Sequence, residues 1–166
     1  MSVILLNGAP GSGKSTVSAL LHERLRCPWF EFGWIPEFRH LNPHTEISYE
    51  EEEALSFENL MLVAQNYLRH GFEHVLISDL RAEFVHRAAA VLEPFHPQII
   101  TLYAAEETLR HRVLTRQNGN EYRNADEAAL INARILSAPA SPCETRIDTT
   151  HCTPEEVCDT ILSLLA

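Results

Sequence analysis

Short runs of apolar residues recur along the chain, separated by longer stretches with a different periodicity. Val3–Asn7, Val75–Ser78 and Ile99–Tyr103 are apolar almost throughout, as expected for strands buried on both faces of a sheet. Trp29–Phe32 and Arg146–Asp148 are shorter runs of the same kind. The pattern therefore predicts five strands.

Between these runs, apolar residues return every three or four positions, which predicts amphipathic helices. One helix follows the first strand. The longest begins at an S-x-x-E capping box, formed by Ser48 and Glu51, and stops at Gly71. Thr153 and Pro154 are typical of a capped helix start. Further helices are predicted over Phe84–Leu92, Glu106–Arg116 and Asp126–Leu136.

The regular alternation of strands and helices predicts an α/β fold with a parallel sheet and right-handed crossovers. No linker long enough to divide residues 1–166 is present, so we expect a single domain. Ligands of such sheets bind at the carboxyl ends of the strands. Candidate chemistry should therefore gather where the first and third strands end, at Gly8 and Asp79.

The turn after the first strand fits the pattern G-x-x-x-x-G-K-S in full over Gly8–Ser15. Glycines allow the backbone to fold tightly, so that its N–H groups point at a phosphate together with the helix N-terminus. Lys14 is expected to bridge the β- and γ-phosphates, and Ser15 to ligate Mg²⁺. The predicted nucleotide-binding residues are Gly8, Ala9, Gly11, Ser12, Gly13, Lys14, Ser15 and Thr16.

Asp79 follows the third strand directly. A carboxylate at this edge can hold Mg²⁺ through water, or accept a proton from an attacking hydroxyl. The alternative is that Asp79 caps the helix that follows, since Asp is a common N-cap residue. Arg81 lies two residues further on and can clamp an anionic group of a substrate.

Arginines surround a polar stretch that follows the fourth strand and its helix. Arg116 and Arg123 flank the turn at Gly119, and we expect them to stabilise transferred charge from a lid over residues 116–125. The alternative is a solvated helix face with ion pairs to nearby glutamates. That alternative is the better interpretation of Arg110.

Aromatic residues and carboxylates cluster after the second strand. Trp29, Phe32 and Trp34 accompany Glu31 and Glu37. This stretch can line an acceptor pocket in which a carboxylate acts as base, or it can be a core of aromatic side chains. We take residues 34–71 as the acceptor-binding helical region and Glu37 as its substrate-binding carboxylate.

Charge and cysteine content narrow the class of protein. The net charge of −10 argues against a general nucleic-acid binder, which needs a basic face. Four cysteines have the spacing of neither a zinc site nor a disulfide framework. We expect reduced thiols in a cytoplasmic protein that does not act at a membrane, either monomeric or homodimeric.

These residues together resemble the small P-loop kinases, a group that includes nucleotide, shikimate and gluconate kinases. The resemblance implies a three-layer α/β/α fold with a five-stranded parallel sheet in the order 2-3-1-4-5. It also implies that adenine rests near Asp148–Thr150. Pro28–Gly33 is similar to the second-strand segment of chloramphenicol phosphotransferase, where an Asp shortly after the glycine is the base. Here the first carboxylate after Gly33 is Glu37.

The expected activity is transfer of a phosphoryl group from ATP, with Mg²⁺, to a small hydroxyl- or phosphate-bearing acceptor. Lys14, Asp79, Arg116 and Arg123 are the expected catalytic residues, and Ser15 and Asp79 the metal-binding ones. Two alternatives stay open. The first is a nucleotide-binding regulatory module or slow NTPase without a dedicated acceptor. The second is an ATPase that drives assembly of nucleic-acid or protein partners.

Overall fold

The computed structural model describes residues 1–35, 47–116 and 122–165. Their strands are β1 (Ser2–Gly8), β2 (Trp29–Glu31), β3 (His74–Ser78), β4 (Pro97–Tyr103) and β5 (Glu144–Asp148). Their α-helices are α1 (Lys14–Leu25), α2 (Tyr49–Arg69), α3 (Ala82–Val91), α4 (Glu106–Thr115), α5 (Ala125–Ser137) and α6 (Pro154–Leu165). Phe32 was predicted to belong to the second strand but begins a 3₁₀ turn over Phe32–Trp34.

The five strands form one sheet in the order β2-β3-β1-β4-β5, and every neighbouring pair is parallel. This confirms the predicted fold and strand order. The order changes direction beside β1, because the chain forms β2 and β3 on one side of β1 and then crosses from β3 to β4 on the other side. The carboxyl end of β1 is therefore a crevice between crossovers, where ligands of such sheets bind.

Alternate residues of β1 enter two different cores. Val3 and Leu5 pack with residues of α2 and α3, including Phe57. Ile4 and Leu6 pack on the opposite face with residues of α1 and α6. Because both faces of β1 are covered, the strand shows a continuous apolar run instead of alternating polar and apolar residues.

The termini of α2 follow the sequence signals. Ser48 and Glu51 form the expected reciprocal capping box. The helix ends at Arg69, and Gly71 follows with a φ of 90°. None of the helices in the described ranges is long and apolar enough to cross a membrane.

Candidate active site

A tight turn joins β1 to α1 and contains the glycine-rich motif. Gly8, Gly11 and Gly13 have φ values of 144°, 87° and 101°, a region that residues with a Cβ rarely adopt. The turn closes with a hydrogen bond from the Ser12 N–H to the Ala9 carbonyl at 3.1 Å. The conformation leaves other backbone N–H groups of the turn at the N-terminus of α1, as a phosphate cradle requires.

Gly11 is also required by a neighbouring helix. A Cβ added at this position would lie 2.8 Å from Val113 Cγ2 and 3.0 Å from the Leu109 carbonyl oxygen of α4. The phosphate-binding turn is therefore packed directly against the helix that leads to the predicted lid.

The first turn of α1 carries no acidic residue, whereas the first turns of α2 to α6 each carry at least one. Acidic residues near a helix N-terminus stabilise the helix dipole. At α1 that favourable position is left for an external anion.

Lys14 is largely shielded, with 12% of its side chain exposed, and it is turned toward the glycine-rich turn. Its Nζ donates hydrogen bonds to the carbonyl oxygens of Gly8 at 2.8 Å and Ala9 at 3.3 Å. It lies 3.8 Å from the Asp79 carboxylate. Burial lowers the pKa of Lys14, and the negative charges of Asp79 and Glu31 oppose that effect. Lys14 is the only lysine in the sequence.

Glu31 lies close to Lys14 and Asp79, a position that was not predicted from the sequence, where Glu31 was grouped with the carboxylates after the second strand. It is the last residue of β2 and pairs in register with Ser78 of β3, so it stands beside Asp79 at the edge of the sheet. Its carboxylate accepts a hydrogen bond from the Ser15 hydroxyl. Burial, followed by the charge of Asp79, raises the pKa of Glu31. The signal available in the sequence was its position at a strand end.

Asp79 has a left-handed backbone with a φ of 60°. Its side chain is 63% exposed and faces Lys14. The helix that follows has Arg81, not Asp79, at its N-cap position. The capping alternative for Asp79 is therefore wrong, and the strained backbone directs its carboxylate to the glycine-rich turn.

Arg81 lies next to α2. Its Nη2 is 2.6 Å from the Glu53 carboxylate and also donates to the Tyr49 hydroxyl. The guanidinium carbon is 5.2 Å from the centroid of the Tyr49 ring. Arg81 is thus held by residues of the first turns of α2.

The predicted lid arginines differ in their surroundings. Arg116 is half-buried, and its guanidinium carbon is 5.4 Å from the Tyr122 ring centroid. Its Nη2 is buried and has no hydrogen-bond partner among the described residues. Burial lowers the pKa of Arg116.

Arg123 donates to the backbone carbonyls of Tyr122 and Arg116. Arg110 pairs with Glu106 and Asp126, as the ion-pair interpretation of that residue predicted.

Arg112 and Thr149 form a second feature that sequence reasoning did not assign. Arg112 donates to the Thr149 hydroxyl at 3.0 Å and to its carbonyl at 2.7 Å. The Thr149 hydroxyl oxygen lies 3.1 Å from the Ser12 carbonyl oxygen and 3.0 Å from the Tyr103 carbonyl oxygen, either of which can accept its one proton. These contacts join α4, the loop after β5 and the glycine-rich turn. The sequence signal that could have identified Arg112 is its position one helical turn before Arg116.

Two cavities meet at Lys14. The first, here called the P-loop cavity, has a volume of about 580 Å³ and lies between residues 10–17, the Arg112–Arg116 turn, Tyr122 and the loop after β5. The second, here called the α2 cavity, has a volume of about 670 Å³ and is lined by parts of α2, α3 and α5. Pro10, Lys14 and Asp79 line both.

A family model described as an AAA domain matches residues 4–132. The chain belongs to this AAA-domain family. A protein of Thermococcus kodakarensis named "Putative adenylate kinase" is 30% identical to it over 173 residues, which cover 98% of this chain and 85% of the relative. A protein of the same name from Thermococcus onnurineus is 28% identical over 163 residues, covering 98% of this chain and 83% of the relative.

Solved structures show the same fold as this AAA-domain protein. The tunicamycin resistance protein of Deinococcus radiodurans is 20% identical, with a TM-score of 0.68 over 99% of this chain and 95% of its own. A gluconokinase from Sinorhizobium meliloti 1021 is 16% identical, with a TM-score of 0.66 over 98% of this chain and 90% of its own. The relatives and the fold together confirm the prediction of a small P-loop kinase.

Most residues predicted for the site of this AAA-domain protein meet around the two cavities. Ser15, Thr16 and Arg116 line the P-loop cavity, and Arg81 lines the α2 cavity. Ala9 is buried behind the turn, and Arg123 is outside the described linings of both cavities. Glu37 and residues 117–121 of the expected lid lie outside the described residues.

Proposed function

We propose that the protein transfers the γ-phosphoryl group of ATP, with Mg²⁺, to a small hydroxyl- or phosphate-bearing acceptor. The observation that carries this proposal is that Lys14 and Asp79 form a common wall between two cavities. The P-loop cavity would take the nucleotide and the α2 cavity the acceptor. A donor and an acceptor held on either side of the same lysine are positioned for direct transfer.

The P-loop cavity has the groups that phosphates need. Positive potential comes from three sources: the backbone N–H groups of the turn, the N-terminus of α1, whose first turn has no acidic residue, and Lys14. The Nη2 of Arg116, which has no hydrogen-bond partner among the described residues, would supply a further donor in the same cavity. The loop that contains Thr149 closes the far side, where the resemblance to P-loop kinases places adenine.

The residues beside the turn also fit Mg²⁺. Mg²⁺ prefers oxygen ligands and is usually bound by one or two carboxylates together with substrate phosphates. Ser15 offers its hydroxyl, while Glu31 and Asp79 offer carboxylates on adjacent strands. These three residues would hold the ion, Asp79 through water. When bound, the ion would neutralise charge on the phosphates.

The transfer step breaks the bond between the γ-phosphorus and the oxygen that bridges it to the β-phosphate. A new bond forms between this phosphorus and the acceptor oxygen, and ADP leaves with the bridging oxygen. The hydroxyl proton passes to Asp79 or Glu31, which are the described carboxylates nearest Lys14. Arg116 and Arg123 would neutralise charge on the moving phosphoryl group from the lid over residues 116–125.

The acceptor side includes Arg81 and the region about 34–71, with Glu37 as a candidate contact. Arg81 supports this assignment because it lines the α2 cavity and is held by Glu53. The whole chain, residues 1–166, would act as one domain with these two parts attached to the P-loop core.

The substitution Lys14→Ala tests the proposal. We expect at least a hundredfold loss of phosphoryl transfer and weaker ATP binding, because Lys14 would contact phosphate in both the ground state and the transition state. Turnover is measured with γ-labelled ATP and a panel of small hydroxyl compounds, and affinity by calorimetry. Arg110→Ala is the matched control, since Arg110 forms surface ion pairs outside the lining of both cavities.

Unchanged turnover and ATP affinity in Lys14→Ala would contradict the proposal. If the wild type transfers phosphate only to water, the slow-NTPase alternative replaces it. Because the protein has no other lysine, amine-directed labelling mapped to the Lys14 peptide by mass spectrometry provides a readout of nucleotide occupancy at Lys14.

A further inference from the structure

The α2 cavity has a strongly acidic lining. Among the described residues that form it, the carboxylates are Glu52, Glu53, Asp79, Glu83 and Glu127. The described cations in the same lining are Lys14 and Arg81. The acids come from α2, α3, α5 and the end of β3, so they surround the cavity from several sides.

Both cations among the described residues of the lining already have anionic or carbonyl partners. Lys14 donates to the carbonyls of Gly8 and Ala9 and faces Asp79 at 3.8 Å. Arg81 is 2.6 Å from the Glu53 carboxylate, whose side chain is only 15% exposed. A half-buried ion pair of this kind is difficult to open, because separating it leaves Glu53 charged and poorly solvated.

A phosphate group in the α2 cavity would need free guanidinium or ammonium donors in a favourable field. It would instead face an Arg81 that is already paired with the Glu53 carboxylate. The carboxylates of Asp79 and Glu83 line the same cavity. Carboxylates that face a bound phosphate repel it, and this repulsion lowers the affinity for a negatively charged acceptor. Hydroxyl and ammonium groups, in contrast, donate hydrogen bonds to carboxylates.

The remaining lining suits a compact ring. Phe32, Ile35, Tyr49 and Ile131 provide apolar surface, and Ser56 and Asn7 provide uncharged polar groups. A cavity of about 670 Å³ lies within the range of small-molecule sites.

We infer that the acceptor is a polyhydroxyl compound without phosphate or other negative charge, either neutral or amine-bearing, such as a nucleoside or an amino sugar. This inference rests on the proposed function, because it takes the α2 cavity to be the acceptor site. It separates the chain from enzymes that phosphorylate nucleoside monophosphates, although its relatives bear the name adenylate kinase.

Matched ligand pairs test the inference by binding, without any transfer step. The protein is first saturated with Mg²⁺ and a non-hydrolysable ATP analogue to fill the P-loop cavity. Calorimetry then compares adenosine with AMP, and glucosamine with glucosamine 6-phosphate. We expect that neither phosphorylated compound binds more tightly than its unphosphorylated partner.

Variants of α2 make the comparison decisive. Glu53→Gln removes the charge that occupies Arg81, so we expect the affinity for AMP to increase by at least about tenfold. Glu50→Gln removes the same charge from an exposed position of the same helix turn, outside the lining of the cavity, and should change AMP affinity less than about twofold. Glu83→Gln is a second cavity variant at an exposed position, in case Glu53→Gln does not fold.

Tighter binding of AMP or glucosamine 6-phosphate by the wild type would overturn the inference. So would an absence of any gain in AMP affinity in the cavity variants that fold. These measurements need no turnover. A failure of phosphoryl transfer would therefore contradict the proposed function without affecting the comparison of affinities for phosphorylated and unphosphorylated ligands.

Discussion

Glu31 shows how one residue's environment is set by a neighbouring strand. It ends β2 beside Ser78, accepts a hydrogen bond from Ser15 and lies close to the charges of Lys14 and Asp79. Burial raises the pKa of its carboxyl group despite the hydrogen bond and the lysine. Ionisation of Glu31 in the folded protein therefore lowers the folding stability, as is common for groups at functional sites.

This environment predicts a specific pH dependence for Glu31→Gln. The folded protein keeps the Glu31 proton to a higher pH than the unfolded chain does. The contribution of Glu31 to stability is thus fully present below the ordinary carboxyl pKa and is lost as the pH rises through the folded pKa. We expect the variant to be more stable than the wild type at neutral pH, with the difference vanishing below about pH 4.

Urea unfolding at a series of pH values measures this difference. Glu50→Gln, on the exposed side of α2, is the control and should show little pH-dependent gain. A variant less stable than the wild type at neutral pH would show that the carboxylate form of Glu31 stabilises the fold.

At the scale of elements, the glycine-rich turn and α4 are fitted to each other. Gly11 occupies the point of contact, facing Val113 and Leu109. Ala9 and Val113 belong to one buried cluster with Leu109 and Ala128, which links the turn to both α4 and α5. A displacement of α4 or α5 would therefore change the packing of the glycine-rich turn.

The substitution Gly11→Ala measures this contact. We expect a loss of about 2–5 kcal/mol in unfolding free energy, from left-handed backbone strain and from overpacking against α4. Gly71→Ala has a similar positive φ of 90° but no atom within 4 Å of the added Cβ, so it should lose only about 1–2 kcal/mol. Denaturant unfolding of both variants separates the two contributions. Equal losses would mean that α4 yields to the extra methyl group.

The sequence predicted those elements whose cause is local. Continuous apolar runs marked the buried strands, and Ser48, Glu51 and Gly71 marked the limits of α2. Phe32 was assigned to the wrong element because aromatic residues suit both a strand and a 3₁₀ turn against the core. The start of β5 was predicted two residues late, since Glu144 is polar and lies on an edge strand.

The sequence could point to a candidate site where one contiguous segment defines it, as in the glycine-rich turn of Gly8–Ser15 between β1 and α1. Glu31, Arg112 and Thr149 were not assigned because their roles arise from pairing between distant segments. Glu31 depends on its register with β3, and Thr149 on the end of β5 lying beside Ser12. Such contacts follow from tertiary structure, which no local pattern records.

At the scale of the whole molecule, the P-loop cavity is built from both ends of the chain. It brings the turn after β1 together with Arg116 of the lid side and with Cys152 and Val157 near the C-terminus. Thr149 already links these parts through hydrogen bonds to Ser12 and Arg112. A nucleotide bound here would contact all of them at once and would stabilise the folded state as a unit.

Thermal unfolding in the presence of ADP and Mg²⁺ measures this stabilisation. At a free ligand concentration one hundred times the Kd, we expect about 2.7 kcal/mol of added stability and a concentration-dependent rise in Tm. Lys14→Ala should show a much smaller rise at the same ADP concentrations. An equal rise in wild type and variant would place the nucleotide away from the P-loop cavity.

Because Pro10, Lys14 and Asp79 line both cavities, the two cavities adjoin at these residues. A bisubstrate compound that joins adenosine to a sugar or nucleoside through a short polyphosphate chain would pass across Lys14. Such a compound loses its overall translational freedom once instead of twice, so its affinity approaches the product of two weaker ones. The shared boundary at Pro10, Lys14 and Asp79 is therefore the place from which a selective inhibitor of this protein can be designed.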